Sequence, residues 1–117
     1  MAEAPKDRLV ELREEMTTAT ESFVFALNER SRIALAIGQE KARRGITQVR
    51  DLQREQQVLD RVAEINEGPL SNEAVQRVAQ VAMDVSSELQ VEATGLPLDN
   101  YPPVTPAEIP ILRRNGW

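Results

Sequence analysis

The side chains able to do chemistry in this 117-residue chain are cations, carboxylates, amides and hydroxyls; it has no His and no Cys. A Ser-His or Cys-His nucleophile is therefore excluded, as are disulfides and the usual zinc sites. Two cations stand where packing residues are expected. Leu9, Leu12, Met16, Ala19, Phe23, Ala26, Arg30, Ile33 and Ile37 recur by threes and fours, with Lys41 four residues on, the spacing of one helix face. Arg30 and Lys41 are eleven residues apart, close to three whole turns, so they point the same way. A long cation on an apolar face needs an anion opposite it or a route to water. Ser86 and Gln90 continue a second stripe of Val75, Val78, Ala82 and Met83. A buried hydroxyl and amide need partners, which a ligand or a helix-helix hydrogen bond would each supply. Such groups suit the binding and polarisation of a small anion, in a reaction that needs neither metal nor activated nucleophile.

Three helices must carry these residues. The first runs from about residue 7 to 43. Pro5 and Asp7 stand at its start, and Arg43-Arg44-Gly45 at its end has the basic last turn and glycine of a helix C-terminus. At about 55 Å it is too long for a compact monomer of this size. It must project or pair, and a plain coiled coil is the simplest use of its stripe. The second helix spans about 51–66. Leu52, Leu59, Val62 and Ile65 form its apolar face, and Asp51, Arg54, Glu55 and Val58 share a flank. Ser71 caps the third, about 72–91, ahead of an acidic first turn. Five of the seven prolines follow residue 93, with the only Tyr and the only Trp. Regular helix cannot continue through them. The expected organisation is an all-α helical domain, 1–92, and a Pro-rich extended tail, 93–117.

Composition agrees. Hydrophobic residues make up 41% and aromatics only 3%, a core of aliphatic side chains that suits helix-on-helix packing. A net charge of −5 argues against non-specific nucleic-acid binding, while leaving room for a locally positive pocket. The N-terminus has no apolar signal core and no stretch is long enough to span a membrane, so a cytoplasmic location is expected.

Arg13 adds a geometric demand. It precedes Arg30 by 17 residues, about 25 Å along a helix and about 100° around it. One straight helix cannot bring both to one small molecule. Two antiparallel copies can, placing Arg13 of one chain near Arg30 and Lys41 of the other in two symmetric sites.

Five blocks in register, Leu12-Arg13-Glu14-Glu15-Met16, Asn28-Glu29-Arg30, Ile37-Gly38-Gln39-Glu40-Lys41, Val49-Arg50-Asp51-Leu52-Gln53-Arg54-Glu55 and Ser86 with Gln90, resemble the all-helical (type II) chorismate mutases. Each block alone is ordinary helix sequence; their order and spacing over about residues 7–91 carry the resemblance. Thr17 and Thr20 depart from it, since the family often has Asp at both. The resemblance implies three helices per chain, intertwined as a homodimer through the first. It also implies the Claisen rearrangement of chorismate to prephenate, with no cofactor. In that assignment Lys41 and Gln90 stabilise charge on the breaking ether oxygen. Arg30, Arg54 and the Arg13 of the other chain clamp the two carboxylates, and Ser86 adds a hydroxyl. Asp51 and Glu55 fall near the ring hydroxyl, where they would also neutralise the empty cationic pocket.

Two relatives of the same fold are rivals. Isochorismate-pyruvate lyases tend to lack the acidic pair matching Asp51 and Glu55. 4-Amino-4-deoxychorismate mutases differ in what binds the ring substituent. A non-catalytic helical adaptor is a third reading, from another class. For the tail, Ile109-Pro110-Ile111-Leu112-Arg113-Arg114 and Trp117 suggest a cover over the site or a dock for a partner. Some small mutases of this family are activated by the first synthase of the shikimate pathway, which makes that enzyme the partner to expect. An unstructured terminus is the plain alternative.

Overall fold

The computed structural model describes residues 7–96. They form three helices, α1 (Arg8–Arg43), α2 (Leu52–Ile65) and α3 (Asn72–Thr94), and no strand. Each helix starts on a side-chain cap. Asp7 accepts from the Leu9 N–H, Asp51 from the Arg54 N–H and Ser71 from the Ala74 N–H, each satisfying a donor that the first turn leaves orphaned. At the end of α1, Ile46 N–H donates to the Lys41 carbonyl at 2.8 Å and Gly45 N–H to that of Ala42 at 3.0 Å. This paired closure needs a left-handed residue, and Gly45 supplies it at φ +75°. α3 runs to Thr94, three residues past the expected end, and closes on Gly95 at φ +72°. The expected start at Pro5 and the tail from 97 on lie outside the described residues.

α3 is the centre. It packs on α1 along one side and on α2 along another. The apolar core is small: Ala34, Val49, Leu59 and Met83 are its buried members, with Leu59 and Met83 in contact and Val58 and Ala79 against them. Side-chain amides of α3 supplement it. Gln76 donates to the Leu59 carbonyl of α2 at 3.0 Å, and Gln90 to the Ala34 carbonyl of α1 at 2.7 Å.

The helical stripes are placed differently from the periodicity alone. On α1 the face against α3 is centred on Ala34 and Gly38, small residues that let two backbones approach. The larger stripe residues Leu9, Leu12, Met16, Phe23, Ile33 and Ile37 are all exposed in the single chain, as is every residue from 12 to 26. On α3 the expected Val78 is exposed, whereas Gln80 and Asp84 are buried. The reason is electrostatic: Arg50 and the Glu55 carboxylate, brought from elsewhere in the chain, give the polar pair charged partners that offset the cost of burying it. No helix among the described residues is long and apolar enough to cross a membrane.

With so few buried apolar side chains, truncating one removes much of the core. Leu59→Ala is expected to cost about 2–5 kcal/mol, read as a lower denaturant midpoint in equilibrium unfolding followed by circular dichroism.

Candidate active site

Seven of the eight residues singled out from the sequence converge on one pocket. Arg30, Lys41, Asp51, Arg54, Glu55, Ser86 and Gln90 line a cavity of about 290 Å³, with Ile33, Ile37, Val58 and Met83 among its apolar walls. α1 supplies Arg30 and Lys41, α3 supplies Ser86 and Gln90, and the start of α2 closes the space between them. Arg13 does not reach the pocket. It is exposed on the projecting half of α1, as its axial offset requires.

Arg30 donates to the Ser86 hydroxyl at 3.1 Å, and that hydroxyl donates back to the Ala82 carbonyl at 2.9 Å. Ser86 therefore does two things, bonding to its own helix and steering a guanidinium. Lys41 reaches past the α1 cap to the carbonyls of Val49 at 3.2 Å and Gln48 at 3.4 Å. An ammonium has three N–H groups, so one remains for a ligand. Arg43 and Arg44, in the same turn, are held outward by Glu40, whose carboxyl they keep below its ordinary value. The Arg54 guanidinium donates to the Gln57 amide oxygen at 3.3 Å.

Gln90 is 7% exposed and spends one amide hydrogen on the Ala34 carbonyl. Gly38 makes room for it, since a Cβ there would stand 3.1 Å from Gln90 Cγ. Asp51 has a structural duty that its expected place on the α2 flank did not reveal: it caps the helix from an extended conformation.

Sequence reasoning passed over three residues at this site. Arg50, 9% exposed, lines the pocket and forms a two-pronged ion pair with Glu55. It also reaches Asp84 at 3.3 Å. Gln80 donates to Glu55 at 3.1 Å and to Asp84 at 2.9 Å. Glu55 thus meets Arg50 before it meets any ligand. The local signal was the polar line Gln76, Gln80, Asp84 at four-residue spacing. Its partners come from another helix and a loop, which helical periodicity cannot name. Thr17 and Thr20 donate to carbonyls of their own helix, those of Arg13 and Met16.

Four cations and two carboxylates line the cavity. Arg50 is already shared by two carboxylates. Arg30, Lys41 and Arg54 have no carboxylate partner among the described residues. Three cations outside any ion pair, against the one such carboxylate of Asp51, leave the half-apolar cavity net positive among the described residues, an arrangement for a compact organic anion carrying more than one negative group. The family model for chorismate mutase type II matches residues 12–91, a span that contains all of these groups. No curated protein and no solved structure matches the chain.

Gly38→Val is expected to push Gln90 off the Ala34 carbonyl, at about 1 kcal/mol for the bond and more for the clash. Side-chain amide resonances read the change: the Gln90 NH2 pair should lose its shift dispersion and exchange faster with solvent.

Proposed function

The chain belongs to the chorismate mutase type II family, and from that membership we propose that it rearranges chorismate to prephenate. The observation that carries the reading is the convergence of Arg30, Lys41 and Arg54, all without carboxylate partners among the described residues, with the Gln90 amide on one cavity. The substrate is a dicarboxylate whose enolpyruvyl arm must fold over its ring. In the reaction the ether C–O bond breaks as a C–C bond forms between the arm and the ring, in one step and within one molecule. No proton is transferred and no nucleophile is needed, which suits a chain with neither His nor Cys.

Two effects do the work. Arg30 and Arg54 hold the carboxylates as planar, bidentate donors, fixing the folded conformer and removing the entropy cost of finding it. Lys41 and Gln90 stand where negative charge grows on the ether oxygen. Their hydrogen bonds strengthen as the bond breaks, so they favour the transition state over the ground state. The anchors on Val49, Gln48 and Ala34 hold these donors in place before the substrate arrives. Asp51 and Glu55 serve the ring hydroxyl as acceptors.

The working unit is a homodimer. Support comes from the projecting half of α1, which exposes Leu12, Met16 and Phe23 along one line and carries Arg13 away from its own pocket. A second, antiparallel copy covers that line and delivers its Arg13 to this chain's carboxylate clamp.

Purified protein should convert chorismate to prephenate, identified by chromatography. Pyruvate released from isochorismate in its place would assign the lyase reaction, and selective turnover of 4-amino-4-deoxychorismate the amino relative. Lys41→Ala is expected to lower kcat by about 100- to 1000-fold without changing the circular dichroism spectrum.

Arg13→Ala and Lys41→Ala chains, each nearly inactive alone, should regain about a quarter of wild-type activity after unfolding and refolding together. Half of the randomly paired dimers are then mixed, each with one intact site. No recovery would show that Arg13 acts within its own chain, and full activity of Arg13→Ala alone would show that it does not act at all.

A further inference from the structure

The buried cluster behind the pocket wall has work to do beyond holding α2 to α3. Its members are Arg50 from the loop before α2, Glu55 from α2, and Gln80 and Asp84 from α3. Gln80, at 2% exposed, is more deeply buried than any core residue. Arg50 and Glu55 line the cavity, whereas Gln80 and Asp84 do not.

A carboxylate has about four acceptor positions. Three of those on Glu55 are filled. Oε1 takes Arg50 Nη2 and Gln80 Nε2, and Oε2 takes Arg50 Nε at 3.0 Å. One lone pair on Oε2 is left, on a side chain that lines the cavity. Glu55 therefore offers the pocket a single acceptor in a fixed direction. Gln80 enforces this. Both of its amide hydrogens are spent, one on each carboxylate, and the opposite flip would aim its oxygen at two anions.

Asp84 controls Arg50. By sharing the Arg50 Nη2 group with Glu55, it holds that guanidinium against the wall. Arg50 is thereby kept from joining Arg30, Arg54 and Lys41 as a fourth cation on the ligand's carboxylates. Without Asp84 the guanidinium would lose its hold from α3, and the Arg50–Glu55 pair could shift as a unit toward an anion in the cavity.

We propose that Gln80 and Asp84 are positioning residues that act through Glu55, leaving it one open acceptor for the ring hydroxyl of the substrate. This rests on the pocket being the chorismate site. A purely structural network predicts a different pattern. Its loss would weaken turnover of every substrate alike, and apolar replacement would often be tolerated.

The test pairs variants with a substrate change. Gln80→Met keeps the volume and removes the donors; Asp84→Asn keeps the shape and removes the charge. Each is assayed on chorismate and on an analogue lacking the ring hydroxyl, with the fold checked by circular dichroism. On chorismate, Gln80→Met should lower kcat/KM about tenfold, the worth of one hydrogen bond to a charged group. On the deoxy analogue the loss should stay under about twofold, and in a Glu55→Gln background Gln80→Met should add nothing further. Should Gln80→Met not fold, Asp84→Asn carries the same comparison. Equal losses on both substrates would overturn the proposal and leave the network a structural one. Wild-type protein inert to chorismate would overturn the reading of the pocket itself, a failure visible before any variant is made.

Discussion

A glutamine side chain laid against a helix backbone sets the geometry on which the rest depends. Gln90 gives one amide hydrogen to the Ala34 carbonyl at 2.7 Å, an oxygen that is also the helical acceptor for the Gly38 N–H. The contact is eased by the missing side chain at position 38, where a Cβ would stand 3.1 Å from Gln90 Cγ and force it to shift. It draws α1 and α3 close enough for Arg30 to meet Ser86 about one turn away, and for α2 to close the cavity between them. It also fixes the amide that faces the pocket. One polar contact thus packs the fold and orients the site, and these demands cannot be relaxed separately.

The same economy explains how a thin apolar core suffices. Four buried apolar side chains leave much of the inter-helix area to polar groups, and α3 meets its neighbours through Gln76, Gln80, Gln90 and Asp84. Buried polar contacts contribute little net stability but are costly to break, because each leaves an unsatisfied group behind. Such a network specifies register more than it adds strength.

The sequence was most informative where local chemistry decides structure. Asp7 and Ser71 cap as their types require, Gly45 closes α1, and the helix bounds fall within a few residues of those expected. Spacing paired Arg30 with Lys41 on one helix face and Ser86 with Gln90 on another, because polar residues on an apolar stripe must meet something; that the two faces meet each other was implied only by the family resemblance. Periodicity failed where burial depends on a distant partner. Val78 looks like core and is exposed; Asp84 looks like surface and is buried, since only the folded chain brings Arg50 to it. The exposed Leu12, Met16 and Phe23 mark a related limit: a stripe shows that a face is to be covered without showing by what.

The cluster of Arg50, Glu55, Gln80 and Asp84 also constrains how such a chain can change over generations. Substituting any one member alone strands a buried charge or amide among the others, at a cost of several kcal/mol. Replacing all of them at once with apolar residues of similar volume need not be costly. Positions 50, 55, 80 and 84 should therefore drift as a set or stay still, and a lineage that gives up Glu55, the acceptor proposed for the ring hydroxyl, would be expected to lose the other members soon after. The covariation of these four columns would then record which descendants kept the same substrate.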